Sequence, residues 1–140
     1  MTEFNKVFFD TAPFIYYLER NEFFFDKVKS FFQECYRKQI EFVTSTITVE
    51  EYCVYPYRNM DLEQVYRFEK FLNDLNFTVL DITNEIAHQA AKIRADFKDF
   101  KAMDSFQLSC AVCSGCDLYF GNDKQLHQFN KIPVITIDQL

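Results

Sequence analysis

The chain has 140 residues, 49% hydrophobic and 19% aromatic, with 18 Phe, 8 Tyr and no Trp, and its formal charge is −6 from 15 Lys and Arg against 21 Asp and Glu. This acidity excludes a protein that coats nucleic acid by bulk attraction, though not an enzyme that grips one locally. Only 2 Gly and 3 Pro exclude long linkers and low-complexity tails, so one domain over residues 1–140 with a sizeable core is expected.

Taken in chain order, Lys6–Phe9 reads as a buried strand that stops on Asp10. Thr11–Glu19 reads as a helix with Thr11 capping and Pro13 in the first turn, where a missing N–H costs nothing. Glu22–Arg37 is amphipathic, with Phe24, Val28, Phe31, Phe32 and Cys35 at helical spacing. Glu41–Thr44 is a short strand, after which Ser45 or Thr46 caps a helix to about Val54. Asp61–Leu75 is a helix, Phe77–Leu80 a strand, and Thr83–Phe97 a helix capped by Thr83. Ala102–Ser114 is helical with Leu108, Ala111 and Val112 turned inward. Leu118–Phe120, a short helix at Asp123–Phe129 and a strand at Pro133–Ile137 complete the chain. Strands alternate with helices, which predicts a three-layer α/β/α fold with a central, mostly parallel five-stranded sheet. No apolar run approaches the roughly 18 residues that span a bilayer, and MTEFNKVFFD carries no cleavable signal pattern, so a cytoplasmic protein is expected.

Five Cys, an odd number, fit free thiols in a reducing compartment. Cys110, Cys113 and Cys116 follow one another at i, i+3, i+6 and read either as metal ligands or as small buried residues on one helix stripe. With no fourth Cys nearby, packing is the expectation.

In a parallel sheet each strand-to-helix junction opens on the same edge, so residues at those junctions meet in space. Asp10 follows the first strand, Glu50 and Glu51 lie in TSTITVEEY after the second, Asp123 follows the fourth in LYFGNDKQL, and Asp104 opens a helix in KAMDSFQL. Each could be a cap or a first-turn carboxylate favoured by the helix dipole. Together on one edge they would repel strongly unless cations sit among them, which points to Mg2+ or Mn2+, hard ions that prefer oxygen. Other chemistries fit less well. A haloacid-dehalogenase-type phosphotransferase needs a second Asp where Ala12 stands, and two glycines cannot build a phosphate loop. His88 and His127 form no HExxH motif and no triad.

The ordered set Asp10-Thr11, SxITxxE at Ser45–Glu51, Asp104 opening a helix with Leu108 and Ala111, and Asn122-Asp123 resembles the PIN-domain family, most of all its compact VapC-type toxin ribonucleases. The resemblance extends through IAHQAAKIRA and the closing IPVITID. It implies metal-binding, catalytic acids at Asp10, Glu51, Asp104 and Asp123, with Glu51 chosen over Glu50 because the family's acid comes three residues after Thr48. Thr11 and Asn122 match the polar residues beside the first and last acids. The sequence departs from the family at Gly121, where Thr or Ser is usual, and in its strongly aromatic first two helices.

The resemblance further implies Mg2+- or Mn2+-dependent hydrolysis of RNA, a cognate antitoxin and a homodimer. A non-catalytic RNA- or protein-binding module is the alternative. RNA would need local cations, for which Arg58 beside Tyr55 and Tyr57, and Lys98 and Lys101 ahead of Asp104, are candidates, although each set also reads as an ordinary solvated face. Finally, NEFFFDKVKSFF carries more Phe than one stripe can bury. Phe23 or Phe25, with Tyr16 and Tyr17, is therefore expected to form a partner surface.

Overall fold

The computed structural model describes residues 3–140, and the segment MTEFNKVFFD, read above as carrying no cleavable signal pattern, lies in part outside the described residues. The elements are β1 (Lys6–Phe9), α1 (Thr11–Leu18), α2 (Phe25–Arg37), β2 (Glu41–Ser45), α3 (Thr46–Arg58), α4 (Leu62–Asp74), β3 (Thr78–Leu80), α5 (Asn84–Asp96), α6 (Ala102–Cys113), β4 (Leu118–Gly121) and β5 (Val134–Thr136). Short 3₁₀ turns follow β4 at Lys124–Gln128 and β5 at Ile137–Gln139. The strands order as β3-β2-β1-β4-β5, and all four pairings are parallel. The sheet is thus wholly rather than mostly parallel, because every connection crosses over and returns in the same sense.

The two-residue alternation of the strands divides the core. Val7, Phe9, Leu118 and Phe120 face α1–α4, while Phe8 and Tyr119 face α5 and α6. Phe9 is the hub of the first layer. It stacks on Phe32 at 4.9 Å and meets Phe14, Phe31, Phe42, Phe77 and Phe120 at tilted or edge-on angles. Such pairs add to the burial of apolar area, and deleting the Phe9 ring would cost about 3–5 kcal/mol. This packing absorbs much of the unusual Phe content.

Three boundaries differ from expectation for physical reasons. Asp10, not Thr11, caps α1, its Oδ1 accepting from the Thr11 amide at 2.7 Å. Residues 22–24 form a turn ahead of α2: Asn21 Oδ1 accepts from the Phe23 and Phe24 amides and Asn21 O from the Phe25 amide, so this capped turn leads into a helix that begins at Phe25 rather than Glu22. Helix α3 runs beyond Val54 to Arg58, with Pro56 inside it and buried against neighbours. No helix among the described residues is long and apolar enough to cross a membrane.

Candidate active site

The carboxyl edge of the sheet opens into a pocket of about 510 Å3 lined by Asp10, Thr11, Tyr16, Glu51, Asp104, Asn122, Asp123 and Lys124, among others. The pocket therefore gathers all four sequence-predicted acids and both supporting residues. Each arrives by a local rule. β1 ends at Phe9, and the Asp10 amide donates to Phe120 O at 2.9 Å, which holds the first acid against the end of β4. Ser45 caps α3 by accepting from the Ile47 amide, and Thr48 and Glu51 follow at i, i+3 on one face. Glu51 accepts the Thr11 hydroxyl at 2.6 Å, whereas Glu50 is exposed and does not line the pocket. Asp104 lies in the first turn of α6. Asp123 caps the 3₁₀ turn after β4 through the Gln125 amide at 3.0 Å, and Asn122 donates to the Tyr16 hydroxyl at 3.2 Å.

The electrostatics record the crowding. The Asp104 carboxyl is pushed up to about 6, first by burial and then by the charges of Asp10, Asp123 and Glu51, with Lys101 opposing. Burial also raises Asp10, against the hydrogen bonds it accepts from Tyr119, Thr11 and Gln107. Glu51 is raised by burial, opposed by the Thr11 hydroxyl and reinforced by Asp10 and Glu50. Among the described residues the ion pairs are Lys6–Glu41, Arg37–Glu34, Lys38–Glu34, Lys70–Asp74 and Lys124–Asp138, and none involves a pocket acid.

The donor chemistry fits a hard divalent ion, with carboxylates and neutral oxygens and neither sulfur nor imidazole on the wall. Among the described residues no group of three or more His, Cys, Asp or Glu side chains is drawn tightly enough together to hold an ion, so the acids ring the pocket at wider spacing.

The cations expected to meet RNA stand elsewhere. Arg58 ends α3, Lys98 lies in the loop before α6 and Lys101 caps α6; all three are exposed and none lines the pocket. The cation on the wall is Lys124. Sequence reasoning also missed Gln107 and Tyr119. Gln107 Nε2 donates to Asp10 Oδ1 and to Thr48, and the Tyr119 hydroxyl donates to Asp10 Oδ2. A usable signal existed for Gln107, a polar residue three after Asp104 in an otherwise apolar helix face. Tyr119 carried none, because it reads as one more apolar residue of a buried strand.

His127 faces Gln139 and does not line the pocket. Cys110 and Cys116 are buried and Cys113 is exposed, and burial holds the Cys110 thiol at about 12. Of the expected partner aromatics, Phe23 is 77% exposed, while Phe25 is stacked on Tyr17 at 5.5 Å. A broader exposed apolar set lies on the α3–α4 hairpin, including Tyr55, Met60, Leu62 and Tyr66.

An α/β protein with acids gathered at the carboxyl edge of a five-stranded parallel sheet is the class that fold and pocket define. The PIN domain model matches residues 7–132, and the chain belongs to the PIN domain family. Among solved structures it is similar to a chain of VapBC2 from Rickettsia felis bound to a promoter DNA fragment, with TM-score 0.78, 11% identity, and 94% of this chain and 98% of that chain covered. It is also similar to a chain of a toxin–antitoxin complex from Klebsiella pneumoniae, with TM-score 0.69, 23% identity and coverage of 94% and 97%. A third is VapC20 from Mycobacterium tuberculosis, a Sarcin-Ricin loop cleaving toxin, with TM-score 0.62, 13% identity and coverage of 89% and 90%. At these identities the likeness is one of fold. No curated protein matches the sequence significantly.

Proposed function

We propose that the protein is a Mg2+- or Mn2+-dependent endoribonuclease and the toxin of a toxin–antitoxin pair. The observation that carries this reading is the set of acids gathered in one pocket without an ion pair among the described residues, with Asp104 pushed up to about 6 by burial and its neighbours' charges. A fold retains such repulsion where a ligand relieves it. Asp10, Glu51, Asp104 and Asp123 would hold the ion, directly or through water. The ion supplies a bound water of lowered pKa and stabilises charge on the phosphate. Thr11 keeps Glu51 turned inward, and Asn122 with Tyr16 shapes the wall where the strand would lie. Lys124, on the same wall, offers a phosphate contact that offsets the acidic rim.

The toxin role draws support from the toxin–antitoxin complex whose chain this one resembles in fold. A cognate antitoxin and a homodimer would use the exposed aromatics Phe23, Tyr55 and Tyr66. The test is cleavage of RNA by the purified chain with Mg2+, with EDTA, and in the Asp104→Asn variant. Cleavage that needs the ion and vanishes in the variant upholds the reading. RNA binding that is indifferent to ion and variant, without cleavage, would make the protein a binding module instead.

A further inference from the structure

Asp10 is held by more donors than a helix cap needs. Its Oδ1 accepts from the Thr11 amide at 2.7 Å and from Gln107 Nε2 at 3.2 Å, and its Oδ2 accepts from the Tyr119 hydroxyl at 2.7 Å. The direction of the Gln107 amide is set from its other end. Ser45 Oγ accepts from the Ile47 amide at 3.1 Å and donates its single proton to Gln107 Oε1. Gln107 therefore turns its NH2 group to Asp10 and, at 2.8 Å, to Thr48 Oγ1. Gln107 is 1% exposed and Tyr119 0%, and the Tyr119 ring is stacked on Phe8 with centroids 5.3 Å apart. Neither side chain has room to adopt another rotamer.

Gly121 explains how the phenol reaches its target. A Cβ at this position would stand 3.3 Å from Asp10 Cβ, 3.3 Å from Asp10 Oδ2 and 3.4 Å from the Tyr119 ring. Any side chain there would crowd the oxygen that Tyr119 occupies. The hydroxyl missing at position 121 arrives instead from position 119.

We propose that Tyr119 and Gln107 are positioning residues that lock the Asp10 carboxylate in one orientation and reserve Oδ2 as its one ligating oxygen for a divalent cation; this rests on the reading of Asp10 as a metal ligand. The lone pairs select the oxygen. Each carboxylate oxygen accepts two donors. Oδ1 has both positions filled, by Thr11 and Gln107, whereas Oδ2 has one filled, by Tyr119, and one open. Asp10 therefore ligates through a single oxygen, and its direction is set by residues on α6 and β4.

The experiment uses the full chain. Tyr119→Phe removes one oxygen and leaves the ring on Phe8, and Gln107→Met removes the amide at similar length. For each variant, Mn2+ affinity is measured by titration calorimetry, RNA cleavage as kcat and KM, and melting temperature in metal-free buffer. Partners behind a metal ligand typically govern 10–100-fold of affinity or activity, so Mn2+ binding should weaken about 10-fold or more, with kcat falling and KM held. A lower melting temperature with unchanged Mn2+ affinity and kcat in both variants would make the two residues merely structural and overturn the proposal. Asp10→Asn separates the two levels. If it binds Mn2+ and cleaves like the parent, the metal reading itself fails. If it loses both while Tyr119→Phe and Gln107→Met keep both, only the positioning role falls.

Discussion

Two carboxylates of this protein, Glu34 and Asp104, stand on the walls of different hollows and are treated in opposite ways. The larger hollow, about 1030 Å3, runs along α2 between Phe4, Phe31 and Ile40, and of the acids on its wall, Glu3, Asp26 and Glu34, it is Glu34 that is ion-paired. Glu34 lies 2.6 Å from Arg37 and 3.3 Å from Lys38, and Arg37 holds its carboxyl below the ordinary carboxylate value. The smaller hollow, about 510 Å3, collects Asp10, Glu51, Asp104 and Asp123, none of which has an ion pair among the described residues, and there the Asp104 carboxyl is pushed up instead. At Asp104, burial and then the neighbouring charges raise the carboxyl, a cost that a bound cation would relieve.

The contrast is sharpest in catalysis. Asp104→Asn should lower Mg2+-dependent RNA cleavage by about 10³-fold or more, because charge stabilisation by a bound ion is worth several kcal/mol and each 1.36 kcal/mol is tenfold in rate. Glu34→Gln, in the larger hollow, should leave the rate unchanged. Equal losses in the two variants would erase the distinction.

Next in size is the response to the ion itself. An ion that binds only the folded chain stabilises it by about 2.7 kcal/mol at a hundred times its Kd. Mn2+ should therefore raise the melting temperature of the parent and of Glu34→Gln, but not of Asp10→Asn, as read by scanning calorimetry. A rise of the same size in Asp10→Asn would place the ion elsewhere.

The pH dependence of the metal-free protein separates the hollows by sign. Asp104 is raised from 3.8 to about 6 in the folded state, so the folded chain holds that proton more tightly than the unfolded one. Its contribution to stability is thus present at low pH and is lost as pH rises through that window. Glu34, held down by Arg37, contributes in the opposite sense, with stability present above its ordinary value and lost as pH falls. Asp104→Asn should flatten the first trend and raise the metal-free melting temperature at neutral pH by about 2–4 °C, the shift that one kcal/mol makes in a chain of this class. A lower melting temperature would show that the acid is a structural first-turn carboxylate.

The smallest effect belongs to the Glu34 pair. Its ions are solvent-exposed, and such pairs contribute little and are screened by salt. Glu34→Gln should lower the melting temperature slightly in dilute buffer and not at all in high salt. A loss that persists in high salt would make this ion pair more than a surface contact.

How much of this was legible in the sequence follows the reach of each interaction. β1, α4 and α5 were readable almost to the residue, because their patterns are local: an apolar run ending on Asp10, and caps at Asp61 and Thr83 that accept from amides three residues on. The strand-helix alternation implied one edge, the edge implied that Asp10, Glu50 or Glu51, Asp104 and Asp123 would meet, and the family resemblance chose Glu51 of the pair. The start of α2 and the end of α3 were misjudged, because Asn21 caps a separate turn at residues 22–24 and α3 carries Pro56 within it without ending there. What only the tertiary structure decided is the shell behind the acids. Gln107 and Tyr119 reach Asp10 across 97 and 109 residues of chain. Gly121 makes room for the phenol, and Lys124 rather than Arg58, Lys98 or Lys101 stands on the pocket wall. Periodicity can say which face of an element a residue occupies. Which polar atom meets which depends on how sheet and helices pack, and that packing is decided by the whole core at once.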